Sequence, residues 1–206
     1  MKNDYHIDLE KYSLDKFKKD LEESKLIPSR KILKEDISNR FRVLKDNDIF
    51  NLQDLVNVLK TPKKAKEFAE KSGLPEDYVL ILRREVNSYT PNPVNLDKFP
   101  GLNADTITKL NDAGIKNTAH LFKKIKTPED RGTLASELDI PPKEILELAK
   151  LTDLVRIKWI GPIFARIFLD SGTDTALKIS QADAEPLYKN LIKINNIAWR
   201  QGYFRG

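Results

Sequence analysis

Displaced by 66 positions, this chain overlaps itself: Leu44, Asp46, Ile49, Asn51, Leu55, Lys60, Thr61, Pro62, Ala69 and Pro75 fall on Leu110, Asp112, Ile115, Asn117, Leu121, Lys126, Thr127, Pro128, Ala135 and Pro141. Such a recurrence marks a supersecondary unit whose apolar face is buried only against a neighbour, so the fold is expected to be an array. A third, partial copy begins near Leu154, where a displacement of 58 carries Leu110, Asp112 and Gly114 onto Phe168, Asp170 and Gly172. The step is shorter because the Thr90 to Val94 loop, with Pro91 and Pro93, lengthens the first junction. Two full units and one truncated unit are implied.

The signals inside the copies are helical. Ser13 caps a helix with Leu14, Phe17 and Leu21 on one face, ended by the Pro28 region. Thr61 with Pro62, and Thr127 with Pro128, each read as an N-cap followed by proline at the first helical position, where its missing N–H is not needed. Phe68 and Ala69, like Leu134 and Ala135, fall on the buried side of that helix; Tyr78, Val79 and Leu82 match Glu144, Ile145 and Leu148 on the next. Gly73 and Asp139 sit where these helices meet, and Gly114 and Gly172 read as left-handed residues closing a helix, with Asp48 at that place in the first copy. No segment alternates apolar and polar residues for long, so the chain is read as all-α.

Composition then narrows the functions. A length of 206 residues fits one or two domains, and the copies suggest a helical extension over 1–28, a degenerate first unit over 29–93, and a second unit with the partial third over 94–206. No apolar run approaches the ~18 residues of a membrane span, and the opening Met1, Lys2, Asn3, Asp4, Tyr5, His6 has no apolar segment of a secretory signal, so a cytoplasmic protein is expected. Absence of cysteine removes disulfides, thiolate metal sites and cysteine nucleophiles. The net charge of +5 divides as +2 over residues 1–90 and +3 over 91–206, compatible with a polyanion partner but without a basic tail.

Two stretches show a short helix, a tight turn and a second helix. One runs Leu96, Phe99, Pro100, Gly101, Leu102, Asn103, Ile107, Leu110, Gly114; the other runs Leu154, Ile157, Trp159, Ile160, Gly161, Pro162, Ala165, Phe168, Gly172. The spacing resembles the helix-hairpin-helix motif, an apolar pair, a glycine-apolar-glycine turn and a helix with alanine and leucine. Residues from Leu96 to about Leu191 further resemble an uncharacterised bacterial family of tandem helix-hairpin-helix proteins, with its threonine-proline helix start at Thr127 and its Asp-Leu-x-Arg-Ile run at Asp153 to Ile157. The resemblance implies an all-α, SAM-like array of helix-hairpin-helix units, reached through a short N-terminal helix. It implies binding of a DNA or RNA backbone through turn amides and the positive end of the following helix, without base reading.

This chain departs from the motif at the turns. Asn103 replaces the second glycine of the middle turn, Trp159 replaces the first glycine of the last, and Glu35 with Asp36 stand at the first. A tryptophan at positive φ is strained, so a different or tilted turn is expected at Trp159. Asp105, Glu35 and Asp36 repel an arriving phosphate, whereas Arg156, Lys158 and Arg166 surround the last turn with no acid between Asp153 and Asp170. The expected nucleic-acid contacts are therefore Gly161, Arg156, Lys158 and Arg166, with Gly101 and Lys98 in the middle turn. Against them stand Trp159, Ile163 and Phe164, read first as core, second as an exposed apolar surface for a protein partner.

The remaining chemistry favours a non-enzyme. Lys63, Lys64, Lys66 and Lys123, Lys124, Lys126 recur in the two copies, but Glu67, Glu70, Glu129 and Asp130 interrupt them as on a solvated face. Asp46, Asn47, Asp48 begins like a calcium loop, yet Phe50 takes a ligand position. No phosphate-binding glycine loop occurs, His6 and His120 lie far apart, and no cofactor or metal is implied. The end at Tyr203, Phe204, Arg205 and Gly206, without a closing helix, suggests a longer parent or an unusual cap. Two functions follow as expectations: phosphate-backbone binding, or a protein-interaction scaffold whose hairpins have lost that capacity.

Overall fold

The computed structural model describes residues 5–200, with side chains through 197, so the readings placed on Met1 to Asp4 and on Tyr203 to Gly206 lie outside the described residues. The described residues are helical without a strand, and the chain divides into two units, Met1–Thr90 and Pro91–Gly206.

The first unit contains α1 (Leu14–Glu23), α2 (Ile37–Asp46), α3 (Leu52–Val58), α4 (Pro62–Ser72) and α5 (Glu76–Asn87), with a 3-10 segment Pro28–Lys34 between α1 and α2. Leu14, Phe17 and Leu21 of α1 enter the same core as Leu33, Phe41, Leu44, Leu52, Leu55, Tyr78 and Leu82. This corrects the reading of residues 1–28 as a separate extension. Ser13 pairs with Asn51 through Leu14 N–H to Phe50 O (2.8 Å) and Leu52 N–H to Tyr12 O (2.9 Å). The second unit repeats the pairing at Asn95 and Asn117, through Leu96 N–H to Lys116 O (3.2 Å) and Thr118 N–H to Val94 O (2.9 Å). α1 therefore enters its unit where the short Leu96–Lys98 segment enters the next, with a longer run of chain before the turn. A buried Glu85 carboxylate is bound by Arg30, which ties the Pro28–Lys34 segment to α5.

The second unit contains α6 (Ala104–Asp112), α7 (Thr118–Phe122), α8 (Pro128–Glu137), α9 (Pro142–Leu154), α10 (Pro162–Asp170), α11 (Ala176–Gln181) and α12 (Ala184–Arg200). Its core gathers Leu96, Phe99, Leu110, Leu121, Ile145, Leu148, Leu151, Leu154 and Ala165. α9 packs against α7, α8 and α10, and α12 packs against α10.

The repeat is written in the backbone. Left-handed residues recur at Asp48, Gly114 and Gly172 (φ 60°, 80° and 79°), at Gly73 and Asp139 (72° and 49°), and at Gly101 and Trp159 (78° and 72°). N-caps recur as well: Asn51, Asn117 and Thr175 each accept a backbone N–H with their side chains, as do Thr61 and Thr127. Such caps satisfy amide groups that the helix itself leaves unpaired, which is why they persist where other positions drift.

Candidate functional site

The middle turn follows the Leu96–Lys98 segment, whose Phe99 N–H bonds Leu96 O at 3.4 Å. Gly101 makes the left-handed corner, and Asn103 caps α6 by accepting the Asp105 N–H at 3.0 Å. Carboxylates crowd this place. Thr106 donates its hydroxyl to Glu144 of α9, and Asn103 Nδ2 donates to the other oxygen of Glu144 at 3.4 Å. A shallow cleft of about 240 Å³ there is lined by Gly101, Asn103, Lys143, Glu144 and Glu147 among others. Lys98 points its ammonium at Asp97, 3.8 Å away. An anion arriving at Gly101 would meet net negative charge.

The last turn has the same corner with a different residue. Ile157 N–H bonds Leu154 O at 3.0 Å and Ile160 N–H bonds Ile157 O at 3.1 Å, while Trp159 takes φ 72°. The expectation of a different turn at Trp159 is therefore corrected. Ile157 and Ile160 pack against the core on either side of it, so the corner is fixed from both flanks, and the indole accepts a left-handed backbone costing about 1–2 kcal/mol. Gly161 is the N-cap of α10 in extended backbone; its carbonyl accepts the Ala165 N–H at 2.9 Å, and a Cβ built on it meets nothing within 4 Å. Its N–H faces no acceptor among the described residues.

Burial decides the apolar residues. Trp159 is 61% exposed, Ile163 45% and Phe164 57%, so the first reading of them, as core, is corrected. They fall on the outer side of the last corner and the first turn of α10, while Ala165 and Ile167 take the inner side.

The basic residues around this corner are engaged within the protein. Arg166 reaches Glu147 of α9, Asp170 one turn onward (3.0 Å) and the Pro100 carbonyl of the middle turn (3.4 Å). Partial burial works against its charge, but Asp170 and Glu147 outweigh it and hold the guanidinium pKa above its ordinary value. Arg156 pairs with Asp153 at 2.8 Å and lays its guanidinium 4.1 Å from the Phe122 ring centre. The Lys158 ammonium lies 5.6 Å from the Trp159 ring. The stretch between Asp153 and Asp170 holds no acid, as read from the sequence, but Glu147 reaches it from α9 and the two flanking aspartates fold back onto it. Sequence reasoning missed Glu147, Glu144 and Phe122; the spacings Asp153 to Arg156 and Arg166 to Asp170 were available as helical i,i+3 and i,i+4 pairs.

Elsewhere the structure places residues without bringing chemistry together. In the first turn Asp36, at φ 44°, is itself the N-cap of α2, and Glu35 pairs with Arg40 at 3.6 Å. Lys63 and Lys66 pair with Glu67 (3.9 Å) and Glu76 (2.8 Å), whereas Lys126 lies 5.7 Å from the Phe122 ring centre. His6 Nδ1 lies 3.2 Å from Ile7 O, and His120 Nδ1 accepts the Lys116 N–H at 3.4 Å. Among the described residues no cluster of acid and imidazole side chains suits a metal ion, and no helix is long and apolar enough to cross a membrane.

Residues 100–199 match the model of a domain of unknown function, DUF4332. The matched stretch begins at the middle turn and runs through α12, so it contains both the Gly101 and the Trp159 corners. No curated protein and no solved structure matches the chain.

Proposed function

We propose that this chain is a non-enzymatic interaction module of the helix-hairpin-helix type, acting in the cytoplasm, whose last hairpin engages a protein partner through Trp159, Ile163 and Phe164. The observation that carries the reading is the joint exposure of these three side chains at one corner. Exposed apolar groups at this density are characteristic of contact surfaces, where large aromatic side chains supply most of the binding energy. The charge arrangement supports the same choice. Arg156 and Arg166, the cations nearest the corner with a fork suited to phosphate, already hold Asp153, Glu147 and Asp170. A phosphate would have to displace those carboxylates.

The test is a photoreactive amino acid placed at position 159 in living cells. A discrete adduct that disappears in an Ile163→Asp, Phe164→Asp background, and is not formed from the same group at exposed Lys63, is the expected result. Equal labelling at both positions ends the reading.

A second reading, binding of a DNA or RNA backbone, is favoured by one observation. Gly161 leaves the start of α10 uncovered by any side chain of its own, with its amide available. In this reading Gly161 and Gly101 present amides to phosphates, and Arg156, Lys158, Arg166 and Lys98 supply charge after exchanging partners. Binding should then weaken with salt by about 0.9 logarithmic units per phosphate for each tenfold rise on duplex DNA. Absence of a mobility shift with duplex or single strands at low salt, at protein concentrations of roughly 100 µM, removes it.

A further inference from the structure

The first two copies treat one place differently. In the first, α5 carries Arg83 where α9, 66 positions on, carries Ala149. Arg83 donates to the Lys60 carbonyl just after α3, at 3.3 Å, and its Nε is shut away from solvent. In the second copy the guanidinium comes from α8 instead. Arg131, at the place of the completely buried Ala65, donates Nη1 to the Ile125 carbonyl just after α7, at 3.1 Å. The exchange puts a methyl group where the first copy has a long side chain, and Ala149 with Arg131 lines a cleft of about 290 Å³.

The lining of that cleft has two parts. Phe122, Ile125, Leu146 and Ala149 are apolar, and Leu146 is 43% exposed. Lys126, Arg131 and Lys150 meet the carboxylates of Asp153 and Asp174. Both carboxylates are already answered, Asp153 by Arg156 at 2.8 Å and Asp174 by Lys150 at 2.5 Å and Lys178 at 2.6 Å. Arg131 is not. Among the described residues this half-buried guanidinium makes its one hydrogen bond to Ile125 and no ion pair, and the exposed Glu129 shares only its field. A guanidinium offers five donors in a planar fork, so one carbonyl leaves most of that capacity unused.

We propose that this cleft binds a small organic acid, its carboxylate held by Arg131 and its apolar body laid against Phe122, Leu146 and Ala149. The fork of a single arginine matches a carboxylate in shape and charge. Asp153 and Asp174 stand close enough to disfavour a dianion such as a phosphate monoester. The volume lies at the lower end for ligand sites, which limits the body to about one ring. The inference is independent of both readings of the last hairpin, since neither uses Arg131 or Ala149.

The probe is 3-phenylpropionate, titrated into the full chain and followed by the amide resonances of residues 122–131 and 146–153. Saturable shifts are expected, with a dissociation constant on the order of 1 mM. Neutral 3-phenylpropanamide and acetate, each lacking one half of the recognised group, should bind at least roughly tenfold more weakly. Arg131→Gln should weaken the probe by a similar factor. The double variant Arg131→Ala, Ala149→Arg carries the pair with which the first copy folds; it should keep its helicity by circular dichroism and lose the probe. No saturable shift in the parent chain, equal binding of the amide or of acetate, or binding that survives the double variant overturns the inference. The peptide Gly-Gly-Gly-Phe, whose C-terminus carries the same two groups, separates the sources of the ligand. Binding at least as tight as that of the probe supports a chain end, and no binding supports a free acid.

Discussion

Gly101 and Trp159 occupy equivalent corners, with nearly the same left-handed backbone, in surroundings of opposite character. At the glycine corner α9 brings carboxylates, with Glu144 and Glu147 engaging Asn103, Thr106 and Arg166. At the tryptophan corner the exposed side chains are apolar, Trp159 itself with Ile163 and Phe164 of the first helical turn. Backbone geometry is thus inherited between copies while the surface laid over it is not. A turn is set by hydrogen bonds within a few residues of itself, whereas cover comes from a helix far along the chain. The same distinction separates α7, whose Leu121 is completely buried, from α11, whose equivalent Ile179 is only partly buried.

The comparison is most open to breaking through core truncation. Leu121→Ala should cost about 3 kcal/mol, the ordinary price of emptying a packed site, while Ile179→Ala should cost about 1–2 kcal/mol because part of its surface stays in water. Urea denaturation of the two variants measures both. Equal losses would mean that the third copy is closed as tightly as the second.

Arg166 joins the two corners, so removing it tests their connection. Arg166→Ala should destabilise the second unit by about 2 kcal/mol, since it strands Glu147 and Asp170. Arg166→Lys should recover only part, because an ammonium cannot span three acceptors in the directions the guanidinium fork provides. Full recovery by lysine would reduce the link to simple charge.

Asp174 sharpens the picture at the start of α11. Hydrogen bonds from Lys150 and Lys178, at 2.5 Å and 2.6 Å, hold its pKa down at about 2. Asp174→Asn should cost about 1–2 kcal/mol at neutral pH. A carboxylate with a depressed folded pKa contributes stability above its ordinary pKa of about 4 and loses it as pH falls towards the folded value. The difference between parent and variant should therefore shrink between pH 4 and roughly pH 2, in thermal melts taken across that window. A difference independent of pH there would exclude the ion pairs as its source.

The smallest effect is a reciprocal exchange at the corners. Trp159→Gly should stabilise the unit by about 1 kcal/mol and Gly101→Ala should destabilise it by about as much, since only glycine holds a left-handed backbone without steric cost. If Trp159→Gly instead destabilises, the indole makes packing contacts that outweigh the strain.

Much of the fold was legible in the residues. The threonine-proline starts, the left-handed Gly114 and Gly172 and the apolar faces of α4 and α5 all appear where the spacing puts them, because caps and faces are decided over one or two helical turns. The place of residues 1–28 was not legible, since α1 enters the first core through a pairing with Asn51, and pairing between distant segments leaves no periodic trace. The candidate site divides in the same manner. The corner at Trp159 and the cluster of three basic residues were visible, but the neutralising Glu147 sits on another helix and could not be assigned to Arg166 by counting.

What the sequence determined by itself is the repeat: where helices begin, where the chain turns left-handed and which residues are equivalent, all consequences of local stereochemistry and short-range hydrogen bonding. Only the tertiary structure decided which equivalent positions are covered. Burial depends on what other helices bring to a place, so Thr106 lies beneath α9 while Phe164, its counterpart, faces outward.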